Sequence, residues 1–301
     1  MSENKEQTRF GFVAVMGPPN AGKSTLVNAL CGAKISIVSP KVQTTRTRVR
    51  GIVTDGDTQF VFTDTPGLFA PDKKNNLEQA IVKNAWEGLN DADLVYFIVD
   101  ASRKITPAWR ETLQKFKNKK PPPVFLILNK VDKTNKETLL EKAQTYSDLF
   151  PFEAVFMLSA TGGTGIADLV TATKEKLPYG PFHYDADALT DMPDRLMAAE
   201  ITREKLFLNL RDELPYGLTV ETDIWERFNN GDLKIEQTIY IARDAHKKII
   251  LGAKGAMIKK VGQAARTELS DLLNCTVHLK LFVKVQENWM SDRERFEQWG
   301  L

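Results

Sequence analysis

The sequence predicts an α/β domain with a mostly parallel, doubly wound sheet, followed by a smaller α+β domain. Three observations lead there. From Phe10 to Leu177, near-continuous apolar runs alternate with helical patterns, as in a parallel sheet covered on both faces. A glycine-rich turn joins the first apolar run to the first helix, a point where such sheets bind ligands. Beyond a proline- and glycine-marked boundary near residue 180, the apolar period becomes two in several stretches.

Length and composition agree with this. A chain of 301 residues is long enough for about two domains, and 42% hydrophobic with 27% charged residues is ordinary for a globular protein. Cys31 and Cys275 lie far apart without ligand-like neighbours, which argues against a disulfide framework or a metal cluster and fits a reducing cytosol. The polar start, Met1 to Arg9, does not read as a signal peptide, and no apolar run is long enough to span a bilayer.

The first strand, Phe12 to Met16, feeds Gly17-Pro18-Pro19-Asn20-Ala21-Gly22-Lys23-Ser24-Thr25, and a helix from Ser24 to Cys31 leaves it. Strand, glycine loop and helix form a cup for phosphates, the P-loop of nucleoside triphosphatases. Lys23 is the charge for the outer phosphates, and the Ser24 hydroxyl is placed to hold Mg²⁺.

Further strands are expected at Gln59–Phe62, Leu94–Val99, Val124–Leu128 and Val155–Leu158. Asp64-Thr65-Pro66-Gly67 ends one of them. Asp64 can hold Mg²⁺ through water, and the Gly67 N–H can meet a γ-phosphate. Asn129, Lys130 and Asp132 end another. The Asp132 carboxylate can accept two hydrogen bonds from guanine, which adenine cannot offer, while Asn129 and the Lys130 stem fix the loop and cover the base. Ser159 and Ala160 follow the last strand, where their backbone can meet the base oxygen. The segment Lys34 to Arg50 should supply a threonine to Mg²⁺; Thr45 is the first choice and Thr44 the alternative. The basic run Lys41, Arg46, Arg48, Arg50 reads as a solvated face, with RNA contact as the second reading.

Leu177 to Thr190 carries no periodicity and reads as a linker. Thr190 or Asp191 can cap the next helix, with Pro193 in its first turn and Leu196, Met197, Ile201 and Leu208 on a buried face. Alternating runs at Leu218–Ile224 and Ile235–Ile241 flank Asn229-Asn230-Gly231-Asp232, turn chemistry that predicts a hairpin. A short helix, Lys247–Leu251, enters Gly252-Ala253-Lys254-Gly255; a long helix, Ala256–Leu273, and a strand from Val277 to Val285 follow. A Gly-x-x-Gly loop between helices lets an RNA backbone approach closely, and Lys247, Lys248, Lys254, Lys259 and Lys260 surround it, with Arg243 and His246 before. Trp289, Phe296 and Trp299 near the end read as packing residues.

The order and spacing of the P-loop, Gln43-Thr44-Thr45-Arg46, Asp64 to Gly67, Asn129 to Asp132 and Ser159-Ala160 resemble a translation-factor-class GTPase, and Gln43 to Arg46 narrow the resemblance to the Era family. The second half resembles a type II KH domain, so the likeness covers nearly the whole chain. It implies a P-loop NTPase domain at 1–178, a linker at 179–193 and an RNA-binding KH domain at 194–301. It implies GTP and GDP with Mg²⁺ as ligands, Lys23, Thr45 and Gly67 in the catalytic roles, and activation by K⁺ beside Asn20. It also implies binding of a monomer to the 3′ end of small-subunit ribosomal RNA during 30S assembly. The location implied is cytoplasmic, with peripheral contact at the inner membrane face. The chain departs from the Ras pattern at Leu68, where an apolar side chain replaces the water-orienting glutamine. The alternative function is a membrane- or division-linked signalling GTPase whose second domain binds protein.

Overall fold

A computed structural model describes residues 8–72, 75–292 and 295. The chain forms two compact units, one built up to Asp191 and one from Met192 onward, except that short segments, among them Ile37–Thr44, group with the second. Phe296 and Trp299 lie outside the described residues.

The first unit is a six-stranded sheet. Its strands are β1 (Arg9–Met16), β2 (Val49–Asp55), β3 (Thr58–Asp64), β4 (Leu94–Asp100), β5 (Val124–Asn129) and β6 (Ala154–Leu158). They lie in the order β2-β3-β1-β4-β5-β6, all parallel except β2, which runs antiparallel to β3. Helices α1 (Lys23–Cys31), α2 (Asn76–Glu87), α3 (Pro107–Asn118), α4 (Lys136–Leu149) and α5 (Ile166–Lys176) connect them. Two apolar clusters cover the faces of the sheet. One gathers Phe97, Leu126, Leu113 and Phe116; the other gathers Val13, Leu26, Phe62 and Leu169. This two-sided burial is why β3, β4 and β5 read as continuous apolar runs.

The expected strands are present, and β2 is an addition. Arg50 and Thr54 interrupt its apolar residues, so no buried run announces it; it is an antiparallel edge strand.

The expected linker is tied down along the first unit. The Gly180 N–H donates to the Thr8 carbonyl, the Gln59 side chain bonds the backbone of His183 and Tyr184, and the Ile52 N–H donates to the Leu189 carbonyl. Leu189 and Thr190 thereby cover part of the free edge of β2, which would otherwise present unpaired backbone groups. Thr190 and Asp191 do not cap the following helix. The Thr190 hydroxyl donates to the Arg50 carbonyl and the Asp191 carboxylate accepts from the Arg50 guanidinium at 2.9 Å. Pro193 takes the cap position without a side-chain bond.

The second unit has a three-stranded sheet of β7 (Leu218–Arg227), β8 (Leu233–Ile241) and β9 (Val277–Val285). The β7–β8 pair is the expected antiparallel hairpin, and β9 joins β8 in parallel. Helices α6 (Asp194–Asn209) and α8 (Ala256–Leu273) supply its apolar cover, with Ile201, Phe207, Val261 and Ala265 fully buried. Leu208 is half exposed, contrary to its expected place on the buried face of α6; it lies in the last turn of the helix, where it lines an open cleft with Lys205 and Lys260. The helix before the Gly-x-x-Gly loop, α7, spans Asp244–Leu251, three residues longer than its periodicity announces. Trp289 is buried and its indole N–H donates to the Gly217 carbonyl. Within the same unit, Ile37–Thr44 is held by α6: the Val38 N–H donates to Glu204 Oε1 at 2.8 Å, and the Arg203 guanidinium donates to the Thr44 carbonyl.

Candidate functional site

The phosphate cup forms where β1 ends. Gly17 has φ of +144°, and a Cβ there would lie 2.1 Å from the Ile98 carbonyl oxygen, so no other residue fits. Asn20 and Gly22 also have positive φ, so the backbone curls from Gly17 to Gly22 before α1 begins. Pro18 and Pro19 form the outer part of the curl, and Ala21 is buried beneath it. Lys23 is 6% exposed, and its ammonium donates to the Pro18 carbonyl at 2.9 Å and the Gly17 carbonyl at 3.3 Å. Burial pushes its pKa down to about 8, partly offset by the charge of Asp64. A lysine held this dry gains strongly from an anion.

Ser24, Thr45 and Asp64 meet at one point. The Ser24 hydroxyl donates to Asp64 Oδ2 at 2.7 Å and lies 2.9 Å from Thr45 Oγ1, which is 3.2 Å from the same carboxylate oxygen. Asp64 Oδ1 is buried without a hydrogen-bond partner, and burial raises this carboxyl against the hydrogen bond from Ser24 and the charge of Lys23. An all-oxygen set with one orphaned carboxylate oxygen fits a hard divalent cation such as Mg²⁺. Thr44 points elsewhere: its hydroxyl lies 2.6 Å from Ser39 Oγ and donates to the Lys41 carbonyl. Thr25 continues α1 beyond the cup.

The segment after β3 is pinned to the cup. The Thr65 hydroxyl donates to the Val15 carbonyl at 2.8 Å, and the Leu68 N–H donates to the Gly17 carbonyl at 2.9 Å. Pro66 therefore leads directly to Gly67, where a Cβ would sit 2.9 Å from the Pro19 backbone. Leu68 is 2% exposed and belongs to the apolar cluster that includes Phe97 and Leu126, so its side chain serves the core.

The two loops expected to read a base converge from β5 and β6. Asn129 Nδ2 donates to the Ala21 carbonyl at 2.8 Å, and its Oδ1 accepts from the N–H groups of Lys130 and Ala160. Lys130 has φ of +66°, and its ammonium bonds the Asn20 carbonyl at 2.7 Å and Asp100 Oδ2 at 2.8 Å. The Ser159 hydroxyl donates to Asp132 Oδ1 at 2.6 Å and so orients the carboxylate. Both backbone N–H groups of Ser159-Ala160 have partners within the protein, Thr164 and Asn129. Asp100 carries no motif signal. It is the register partner of Asn129 across β4 and β5, which places it beside Lys130. Burial pushes its carboxyl up, but hydrogen bonds from Lys130 and Ser102 outweigh this and hold it below the usual carboxylate range.

The basic run before β2 is not one solvated face. Arg46 is 4% exposed, and Arg50 pairs with Asp191 and lies 5.6 Å from the centre of the Phe12 ring.

In the second unit, Gly252 and Gly255 flank a tight turn with φ of +72° and +78°, and Lys254 between them has φ of +50°. Ala253 and Lys254 project as exposed residues, as do Lys248 and Lys259, while Lys247 is half-buried. Beside the turn, α8 and β9 line a cleft of about 320 Å³ with Lys259, Gly262, Gln263, Arg266, Leu279 and Leu281. The i, i+3, i+4, i+7 spacing of Lys259, Gly262, Gln263 and Arg266 marks one helix face. It is the sequence signal that could have extended the candidate surface beyond the loop.

A family model described as 50S ribosome-binding GTPase matches residues 12–130, and a KH domain model matches 213–290. The GTPase Era of Brucella suis is 51% identical over 98% of this chain and 94% of its own. Among solved structures, a variant of Aquifex aeolicus Era bound to GDP·AlF4⁻ matches with a TM-score of 0.93 at 36% identity, covering 97% of this chain and 99% of that one. A crystal structure of Era with MgGDPNP and nucleotides 1506–1542 of 16S ribosomal RNA matches equally, with the same score, identity and coverage.

Proposed function

The chain belongs to the Era family of GTPases, and from that premise we propose that it is a GTP-hydrolysing switch that holds the 3′ end of small-subunit ribosomal RNA and assists 30S assembly. The observation that carries this reading is the coexistence in one chain of a glycine-lined cup, flanked by the Asn129, Asp132 and Ser159 loops, with a Gly-x-x-Gly turn beside a cleft lined by Lys259 and Arg266.

The chemistry follows from the geometry. Residues Gly17 to Thr25 wrap the phosphates, and Lys23 turns from the loop carbonyls to the β- and γ-oxygens. Ser24 and Thr45 would hold Mg²⁺ directly, and Asp64 would hold it through water. The ion, when bound, neutralises charge building between the β- and γ-phosphates. The Gly67 N–H meets the γ-phosphate, so the segment carrying it is released when that phosphate leaves. Asp132 reads guanine, with Asn129 and Lys130 bracing its loop. Leu68, buried in the core, cannot orient the attacking water. K⁺ beside Asn20 would supply the missing electrostatic help; equal turnover in K⁺ and Na⁺ at matched ionic strength would remove that part of the reading.

Lys247, Lys248, Gly252 to Gly255 and Lys259 form the RNA contact in this account, extended by Gln263 and Arg266 along the cleft. In this proposal the protein acts as a monomer. The location in this proposal is cytoplasmic, with peripheral contact at the inner membrane face; no described helix is long and apolar enough to cross a membrane. The KH match and the relative's ribosomal RNA complex favour this function over a signalling GTPase whose second domain binds protein. Crosslinking in cells followed by sequencing of bound RNA tests it. Enrichment of the small-subunit 3′ end is expected; crosslinks spread evenly over cellular RNA would contradict it.

A further inference from the structure

Between Arg103 and Lys120 the chain carries seven basic residues and one acidic residue, a formal +6. The whole chain carries +2, so the other 283 residues sum to −4. This stretch is the loop after β4 and helix α3. Leu113 and Phe116 bury one side of the helix against the sheet, which leaves the rest facing outward. All seven basic residues, Arg103, Lys104, Arg110, Lys115, Lys117, Lys119 and Lys120, are exposed. Among the described residues one of the seven has a carboxylate within ion-pair distance: Arg103, 3.5 Å from an Asp100 oxygen that Lys130 holds more closely. The neighbouring helices differ. By sequence, α2 and α4 each sum to −1 and α5 to zero.

Packing does not call for this surplus: all seven side chains are exposed, and the one ring contact among the described residues is the Lys119 ammonium, 5.8 Å from the centre of the Trp86 ring. Solubility does not call for it either, because mixed or acidic charge serves that better and like charges repel one another. A surface of this kind gains by meeting a polyanion and releasing its counterions. The stretch exposes no large apolar side chain among the described residues, so it lacks the anchors that hold an amphipathic helix in a bilayer. A twelve-residue helix is roughly 18 Å long, enough to follow several phosphates of one strand.

We propose that the outer face of α3 is a second, sequence-independent contact of the GTPase domain with the phosphate backbone of folded small-subunit ribosomal RNA. The choice of that RNA rests on the function proposed above; the polyanion-binding surface does not.

The test compares the full chain with a variant carrying Lys115→Gln, Lys117→Gln, Lys119→Gln and Lys120→Gln. Binding is measured across a salt series to purified small ribosomal subunits and to a short single-stranded RNA of the 3′ end. Each lost phosphate contact removes about 0.7–0.9 from the slope of log affinity against log salt. The variant should bind subunits roughly tenfold or more weakly at low salt, with the slope flattened by about three. Binding of the short strand should stay within about twofold, and thermal unfolding and RNA-free GTP turnover should not change. Unchanged subunit binding overturns the proposal, as does an equal loss on the short strand. It is also overturned if the variant loses only binding to anionic phospholipid vesicles. If the parent binds subunits but not the short strand, and the variant loses the subunits, the α3 surface stands and the reading of the second domain falls.

Discussion

Asp100 Oδ2 and Lys130 Nζ are 2.8 Å apart, and the same ammonium lies 2.7 Å from the Asn20 carbonyl. One lysine thus joins the end of β4, the phosphate loop and the base-reading loop. The Asp100 side chain is 8% exposed, so the pair is shielded from solvent on the acid's side. In the function proposed above, the pair would hold the Lys130 stem in place as the cover of the base.

Asp100→Asn keeps the shape but removes the charge. Affinity for GDP should fall roughly tenfold, about 1.4 kcal/mol, with faster release. The loss should be equal for guanine and xanthine nucleotides, because Asp100 fixes the cover rather than reading the base. Stopped-flow release of a fluorescent nucleotide measures it. A rate within about twofold of the parent would mean that the ion pair only ties strand ends together.

Asp132→Asn acts on the other property. An amide can donate as well as accept, so GTP binding should weaken by on the order of a hundredfold while xanthosine triphosphate binding improves. The Ser159 hydroxyl, 2.6 Å from Asp132 Oδ1, keeps the side chain in place for this exchange. Competition binding with the two nucleotides reads it, and unchanged GTP affinity would show that Asp132 does not face the base.

Much of this site is legible in the sequence, because phosphate and guanine chemistry demand fixed residue types at strand ends. Gly17 to Thr25, Asp64, Asn129 and Asp132 all lie where their local pattern places them. Thr45 and Thr44 are adjacent in an irregular segment, and only the fold aims one at Asp64 and the other at Ser39. Asp100 is illegible for a similar reason: its partner is thirty residues away and joined by sheet register. The stretch from Leu177 to Thr190 reads as a linker because its bonds are made largely by the backbone, which leaves no side-chain period. The burial of Arg46 is likewise invisible to a charge count.

Lys23 gives a pH dependence. Its pKa in the protein without nucleotide is lowered to about 8 from the ordinary 10.5, chiefly by burial. In that window the unfolded chain binds more protons, so this lysine destabilises the fold below pH 8 and the penalty fades as pH rises toward 10.5. Phosphates restore the charge, so nucleotide binding takes up a proton there. Affinity for GDP should fall as pH rises above 8, by up to about tenfold per pH unit. Calorimetry at pH 8.5 in two buffers of different ionisation enthalpy should register proton uptake; identical heats and a flat affinity profile would contradict it.

The central claim, a guanine-nucleotide switch joined to an RNA reader, is tested most directly by the affinity of Gly255→Asp for single-stranded RNA of the small-subunit 3′ end. Gly255 has φ of +78°, which aspartate tolerates better than most residues, and a Cβ there meets nothing within 4 Å. At Gly252 a Cβ would come within 2.8 Å of Met257, so substitution there would disturb the fold as well. The carboxylate at position 255 stands where the RNA backbone approaches and repels its phosphates. We expect RNA affinity to drop at least about tenfold, with GTP affinity and thermal unfolding within error of the parent. Folded Gly255→Asp protein that binds this RNA as tightly as the parent would contradict the account.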